Sequence, residues 1–216
     1  MKALVLAGGR ATRLRPVTHT INKHLIPLAN KPMIFHVLEK IAAAGIIDVA
    51  ININAGDTEM QRVVGGGERF GLRITYIEQT GGALGLAHTI KVAKDHGFLD
   101  GPFLMYLGDN IILGSINRFV DRFKNENLNC MLALSRVKDP ERFGVPEINE
   151  RGEIIRVEEK PVVPMSPFAI TGIYLYDEKA LDAVENIKPS PRGEMEITDV
   201  HQFYIDNGYR VGYEEI

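Results

Sequence analysis

The chain has 216 residues, of which 45% are hydrophobic and 25% charged, and its formal net charge is −3. This length and apolar content allow one domain with a sizeable core. No apolar run is long enough to span a bilayer, and Met1-Lys2 leads into a strand pattern rather than a signal peptide. A lone cysteine, Cys130, excludes an internal disulfide framework, so we expect a buried thiol in a cytoplasmic protein. The composition also gives no sign of nucleic-acid or membrane partners, because the excess of basic residues is confined to one region.

Predicted strands and helices alternate over the first 136 residues. Apolar runs predict strands, and apolar residues at helical spacing predict helices, with Pro32 and Gly45 at the two ends of the first helix. The strands are predicted at residues 3–7, 47–53, 73–78, 103–107 and 130–136, and the helices at 33–44, 57–64, 84–94 and 115–124. This order predicts an α/β, three-layer, Rossmann-like fold with a mostly parallel sheet and helices on both faces.

The pattern changes after residue 136. Prolines become frequent, and short predicted strands at 154–158 and 169–176 replace the regular alternation. We interpret residues 1–216 as one domain with two parts, 1–136 and 137–216. The second part is expected to be a small mixed subregion that folds onto the first sheet and closes a pocket.

The first predicted strand ends in a basic glycine turn, Gly8-Gly9. Two glycines allow positive φ, so the following N–H groups can converge on an oxyanion. Residues 1–40 contain seven Lys or Arg and one acid, Glu39, which favours a polyphosphate site. The simpler alternative is a tight turn with solvated basic side chains. The turn is neither a Walker A loop nor the G-x-G-x-x-G of dinucleotide-binding folds.

Six groups of residues, of which the first contains the glycine turn, carry a resemblance to a known family. The first is Gly8-Gly9-Arg10-Ala11-Thr12-Arg13-Leu14, followed by Asn22-Lys23-His24-Leu25-Ile26-Pro27, Gly85-Leu86-Ala87-His88, Leu107-Gly108-Asp109-Asn110, Glu158-Glu159-Lys160-Pro161 and Arg192-Gly193-Glu194-Met195-Glu196-Ile197-Thr198-Asp199. Together they resemble the sugar-1-phosphate nucleotidyltransferases, and within them the branch that transfers thymidylate to glucose 1-phosphate. The resemblance spans essentially the whole chain.

The resemblance implies an activity and a nucleotide-binding part, residues 1–136. The activity is transfer of a nucleotidyl group from dTTP to glucose 1-phosphate by direct in-line attack with Mg²⁺, giving dTDP-glucose and pyrophosphate. Arg13 and Lys23 are implied to act catalytically on the phosphates. The amide of Gln79 can donate and accept, which matches the O4 and N3–H edge of thymine or uracil. The nucleotide-binding residues implied are Leu6, Gly8, Gly9, Thr12, Arg13, Gln79, Gly85 and Asp109.

The resemblance also implies a sugar-phosphate-binding part, residues 137–216. Lys160 is implied to pair with the sugar phosphate as a catalytic residue, and Glu159 to accept sugar hydroxyls. The residues implied around the sugar phosphate are Asn110, Gly144, Glu159, Lys160, Ile170, Tyr174 and Arg192. Asp109 is implied to be catalytic as the Mg²⁺ ligand, because a carboxylate at a strand end beside phosphates suits that ion. An ordinary Asp-Asn turn is the alternative.

One family feature is missing from this sequence. Similar enzymes carry a second metal aspartate in a Trp-x-Asp-Thr-Gly segment, and this chain has no Trp. We therefore expect either a chain truncated after Ile216 or a protein that manages without this aspartate. Three alternatives remain open: a transferase that uses UTP or GTP, a non-catalytic subunit that senses nucleotide or sugar, and a glycosyltransferase, which the lack of an Asp-x-Asp pair disfavours. A homo-oligomer is expected by analogy with the family.

Overall fold

The computed structural model describes residues 1–9, 14–16, 18, 21–79 and 84–216. Its main feature is a sheet of seven strands. These strands are β1 (Lys2–Leu6), β4 (Asp48–Asn54), β5 (Arg73–Gln79), β6 (Phe103–Leu107), β7 (Cys130–Arg136), β10 (Phe168–Tyr176) and β11 (Val211–Glu215). Two short antiparallel sheets pair β2 (Pro27–Leu28) with β3 (Lys31–Pro32), and β8 (Gly144–Ile148) with β9 (Ile154–Glu159).

The strand order of the main sheet is β11-β7-β10-β6-β1-β4-β5. β1 pairs in parallel with β4 and β6, β4 with β5, and β7 with β11. β10 runs antiparallel to both of its neighbours, β6 and β7. The sheet is therefore mostly parallel, and the carboxyl ends of β1, β4, β5 and β6 meet at one edge. Ligands bind at this edge in open α/β sheets.

Helices cover both faces of the sheet, as the sequence predicted. One buried cluster lies under α1 (Met33–Ala43), α2 (Thr58–Val64) and α4 (Asn117–Asn125). A second lies under α3 (Leu86–Asp95), α5 (Lys179–Asn186) and α6 (Ile197–Asp206). Helix α1 shows why the helices pack against the sheet. Its Ile34, Leu38 and Ile41 recur at helical spacing, and all three are fully buried. Among the described residues, no helix is long and apolar enough to cross a bilayer.

Two helix ends illustrate local control by sequence. The Asp57 carboxylate accepts a hydrogen bond from Met60 N at 3.1 Å, so Asp57 is the N-cap of α2. α3 begins at Leu86, two residues later than predicted. Gly85 has φ +96° and cannot belong to the helix.

The second part of the chain is built differently from the prediction. It does not simply fold onto the first sheet, because β10 is inserted between β6 and β7, and β11 extends the same sheet. Leu175 and Tyr176 in β10 are fully buried, as expected for a central strand. Of the two short strands predicted here, 154–158 corresponds to β9, which pairs with β8, a strand that received no prediction. Cys130, at the start of β7, is buried, which agrees with a structural thiol.

Candidate functional site

A cleft of about 800 Å³ opens at the carboxyl ends of β1, β4 and β5. We call it the first cleft; its lining residues are Leu6, Gly8, Gly9, Asn52, Asn54, Gln79, Gly85, Leu86, Thr89 and Glu194. Five residues predicted to bind nucleotide are in this set: Leu6, Gly8, Gly9, Gln79 and Gly85. Thr12 and Arg13, the predicted triphosphate ligands, lie outside the described residues.

The glycine turn is held in place by a side chain that the sequence analysis did not single out. Gly9 has φ +107°, which favours glycine. Gly9 N donates to Asn54 Oδ1 at 2.9 Å, and Asn54 Nδ2 donates to Gly9 O at 3.3 Å. This reciprocal pair fixes the direction in which the backbone leaves β1. The signal in the sequence was Asn52 and Asn54 at the end of a buried strand, where asparagine is disfavoured.

Gly85 joins the first cleft to the second part of the chain. Its backbone lies against Met195: Met195 N donates to Leu84 O at 2.8 Å, and Ala87 N donates to Met195 O at 3.2 Å. A β-carbon on Gly85 would lie 2.6 Å from Met195 N and 2.8 Å from Met195 C. Only glycine permits this close approach. The backbone around Gly85 and Met195 therefore forms a wall where residues 1–136 meet residues 137–216.

A second cleft, of about 590 Å³, lies on the other side of that wall. It is lined by Asp109 and by all seven residues predicted to bind the sugar phosphate. These seven are Asn110, Gly144, Glu159, Lys160, Ile170, Tyr174 and Arg192. Leu86 and Glu194 line both clefts, so the two are adjacent. The residues come from β6, β8, β9, β10 and the segment before α6, which brings distant parts of the sequence together.

Lys23 and Asp109 form an ion pair near the second cleft. Lys23 Nζ donates to Asp109 Oδ2 at 2.6 Å, and both side chains are partly exposed. Burial raises the pKa of Asp109, but the hydrogen bond and charge of Lys23 outweigh burial and hold that pKa below its ordinary value. Asp109 is therefore ionised at neutral pH.

A partly buried polar cluster positions Lys23. Asn22 Nδ2 donates to Asp57 Oδ2 at 2.6 Å and lies 3.4 Å from Ala7 O, next to the glycine turn. Asn22 Oδ1 accepts from His24 N at 3.0 Å and contacts His24 Nδ1 at 2.8 Å. Burial, with a smaller contribution from Lys23, lowers the pKa of His24 to about 4, so the ring is neutral at pH 7. The Lys23 segment is thus tied to the end of β1.

The cations of the second cleft are also paired with carboxylates. Lys160 Nζ lies 2.8 Å from Glu159 Oε1. Arg192 Nη2 lies 2.8 Å from Glu196 Oε1 and 3.6 Å from Glu159 Oε1. Glu196 is 8% exposed and also accepts from Ser190 Oγ at 2.8 Å. A buried carboxylate with two donors fixes Arg192 beside the cleft. Glu196 lies within the Arg192–Asp199 motif, but no role was predicted for it from the sequence.

The walls of the second cleft are closely packed. A β-carbon on Gly144 would lie 2.6 Å from Thr198 Cγ2 and 3.5 Å from Glu159 Oε2, so glycine keeps this space open. Tyr174 is 3% exposed. Burial raises the pKa of Tyr174, with smaller contributions from Glu159 and Asp109, so its hydroxyl stays protonated at neutral pH.

Asp109 suits Mg²⁺ by its chemistry. Mg²⁺ prefers oxygen ligands and commonly takes one or two carboxylates, with phosphate and water completing the shell. Within the described ranges, no group of three or more His, Cys, Asp or Glu side chains could hold a metal ion. A single carboxylate at the end of a strand is compatible by its chemistry with an ion that completes its shell with phosphate oxygens and water.

Comparison with known proteins agrees with this architecture. The chain is 48% identical over 209 residues to a glucose-1-phosphate thymidylyltransferase of Streptomyces griseus, and 49% identical over 210 residues to that of Streptomyces antibioticus. Each match covers 96% of this chain, which spans 58% of the length of either relative.

A solved structure matches the whole chain. It is the crystal structure of a candidate glucose-1-phosphate thymidylyltransferase from Bacillus anthracis in complex with a sucrose. That structure is 39% identical, with a TM-score of 0.92, and the match covers 100% of this chain and 87% of the other. The family model described as "Nucleotidyl transferase" matches residues 2–215. The chain therefore belongs to the nucleotidyl transferase family.

Proposed function

We propose that this chain transfers a nucleotidyl group from dTTP to glucose 1-phosphate, forming dTDP-glucose and pyrophosphate. The observation that carries the proposal is the adjacency of the two clefts, which share Leu86 and Glu194. A nucleotide in the first cleft and a sugar phosphate in the second would meet beside the Lys23–Asp109 pair. The names of the relatives support the same substrates.

The reaction needs two anions held together in line. An oxygen of the sugar phosphate attacks the α-phosphorus of the triphosphate, the new P–O bond forms, and the bond to pyrophosphate breaks. Most of the acceleration in such reactions comes from positioning and charge stabilisation. Lys23 would offset the repulsion between the two esters, while Thr12 and Arg13 would hold the triphosphate.

The second cleft would orient the nucleophile. Lys160 and Arg192 would pair with the sugar phosphate, and Glu159 would accept hydrogen bonds from sugar hydroxyls. Asn110, Gly144, Ile170 and Tyr174 would shape the space around the ring. Asp109 would hold Mg²⁺, which supplies charge neutralisation at the phosphates when bound.

Base selection would fall to the first cleft. The Gln79 carboxamide and the backbone at Gly85 lie in its wall, and a carboxamide can pair with the imide edge of thymine. Uracil has the same edge, so use of UTP is the nearest alternative.

Pyrophosphate release tests the proposal directly. The chain is incubated with glucose 1-phosphate, Mg²⁺ and each triphosphate in turn, and we expect release with dTTP. Lys23→Ala should lower kcat/KM by about 100-fold or more, because a charge that acts on the transition state is removed. Lys31→Ala is the matched control, since Lys31 pairs with Glu39 on α1 away from both clefts.

Three results would count against the proposal. Wild-type turnover in Lys23→Ala would refute the role of Lys23. Comparable turnover of UTP would replace the thymidylyl assignment with a broader one. Tight binding of nucleotide without pyrophosphate release would refute transfer by this chain and favour a sensing role.

A further inference from the structure

Strand β10 has a β-bulge where it passes the second cleft. Its pairing with β7 shifts between Ile170 and Tyr174, so that residues 171–173 lie opposite Ala133 alone. Inside this bulge, Thr171 Oγ1 donates to Ala133 O at 3.0 Å, so a side chain holds the bulge to the neighbouring strand. A bulge bends its strand and redirects the side chains around it. Because Ile170 and Tyr174 both line the second cleft, the bulge sets the shape of that wall.

Gly172, at the centre of the bulge, packs against the turn that follows β6. A β-carbon on Gly172 would lie 2.8 Å from Leu107 Cβ and 3.1 Å from Asn110 Nδ2. Carbon atoms in contact are about 3.5–4.0 Å apart, so such a side chain would push the turn away by about 0.7 Å. Asn110 N donates to Leu107 O at 3.0 Å, which closes a tight turn around Asp109. The residues of this turn would therefore move together.

This contact, and not the backbone conformation, requires glycine at position 172. The φ angle of Gly172 lies outside the left-handed region, so other residues could adopt the same backbone. Gly172 is also buried within a central strand, where glycine weakens the sheet because it offers no side chain to pack. Glycine at such a position is typical of a close approach by another part of the chain. Here the approaching group is the turn that carries Asn110.

We propose that Gly172 is a positioning residue for the transfer reaction, which acts through Asn110. The missing side chain sets how closely the turn after β6 approaches β10, and this fixes the place of the Asn110 carboxamide in the second cleft. Thr171 holds the bulge, and so Gly172, in that position. The inference rests on the proposed function and deepens it, since it names the feature that aligns the sugar-phosphate wall.

Steady-state release of pyrophosphate by the full chain tests this role, because it gives KM for each substrate. Gly172→Ala should raise KM for glucose 1-phosphate about tenfold, since a displaced Asn110 no longer matches the sugar phosphate. KM for dTTP should stay within about twofold, because Gly172 and Asn110 line the second cleft. A variant that is merely less stable contains fewer active molecules, which lowers kcat and leaves KM unchanged. The change in KM therefore separates positioning from a purely structural role.

Gly101→Ala is the matched control, because Gly101 precedes β6 at its other end and no atom of the described residues lies within 4 Å of its added β-carbon. It should leave both KM values unchanged. Added to Asn110→Ala, the Gly172→Ala change should raise KM for glucose 1-phosphate by less than about threefold, because the carboxamide that it displaces is gone. A full tenfold rise in that background, or no rise in Gly172→Ala alone, would overturn the proposal.

Should Gly172→Ala fail to fold, Thr171→Val tests the same bulge. Valine keeps the shape of threonine but removes the hydroxyl that donates to Ala133. We expect KM for glucose 1-phosphate to rise about threefold, as for one lost hydrogen bond, with KM for dTTP unchanged. An unchanged KM for glucose 1-phosphate, or equal rises for both substrates, would overturn the proposal. In these cases the wild-type chain still releases pyrophosphate, whereas failure of the proposed function would appear as no release by the wild-type chain.

Discussion

A methyl group at position 85 would test how the two parts of the chain are joined. Gly85 has φ +96° and ψ 164°, a region that is essentially restricted to glycine, and forcing alanine into it costs about 1–3 kcal/mol. The new β-carbon would also lie 2.6 Å from Met195 N, and overlaps of this kind cost about 1–3 kcal/mol. Backbone atoms cannot rotate away, so we expect Gly85→Ala to lose about 2–6 kcal/mol of unfolding free energy.

Urea unfolding and thermal melting measure this loss. For a chain of this size, 1 kcal/mol corresponds to about 2–4 °C, so the melting temperature should fall by about 10 °C. Gly9→Ala is the matched control, because Gly9 has φ +107° and no atom of the described residues lies within 4 Å of its added β-carbon. Gly9→Ala should show only the backbone cost, about 1–3 kcal/mol. Equal losses in the two variants would refute the overlap with Met195.

Two further predictions concern stability. Burial lowers the pKa of His201 to about 3, so below pH 6.5 the unfolded chain binds a proton that the folded chain excludes. The contribution of His201 to the unfolding free energy should therefore fall by up to about 1.4 kcal/mol per pH unit as the pH drops from 6.5 toward 4. His201→Gln should reduce the slope by this amount in a urea series, and an unchanged slope would contradict the assignment. Asp57→Ala removes the N-cap of α2 and should cost about 1–2 kcal/mol, whereas Glu59→Ala, at a half-buried position in the first turn, should cost under about 1 kcal/mol; similar losses in urea unfolding would count against the cap.

Much of the fold follows from local pattern. β6 and β7 match the predicted residues 103–107 and 130–136, because each is a continuous apolar run. The predicted start of α3 was two residues too early. The conformation of Gly85 is set by Met195, which is distant in sequence, so no local pattern could indicate it. α5 and α6 received no prediction. The position of β10 could not be derived either, because strand pairing depends on contacts that no local pattern contains.

Some residues of the candidate site could be predicted from the sequence, and others could not. The sequence placed Gly8, Gln79 and Asp109 at the carboxyl ends of strands, and the structure has them there. It did not identify the side chains that hold the site together, such as Asn54 on Gly9 and Glu196 on Arg192. Polar side chains of this kind have many possible partners along a sequence. Their role becomes clear only when a particular backbone group or cation is brought within hydrogen-bond distance.

The ion pairs of the site bear on how it would select its ligands. Lys23 pairs with Asp109, Lys160 with Glu159 and Arg192 with Glu196. In each pair the nitrogen and oxygen atoms lie 2.6–2.8 Å apart. Under the proposed function, an entering anion must compete with a carboxylate for each of these cations. A phosphate ester with nearly two negative charges and several acceptor oxygens can do so, whereas a neutral sugar or a single carboxylate gains little. The acids would thus keep the cations oriented before binding and, by the same competition, exclude weaker anions.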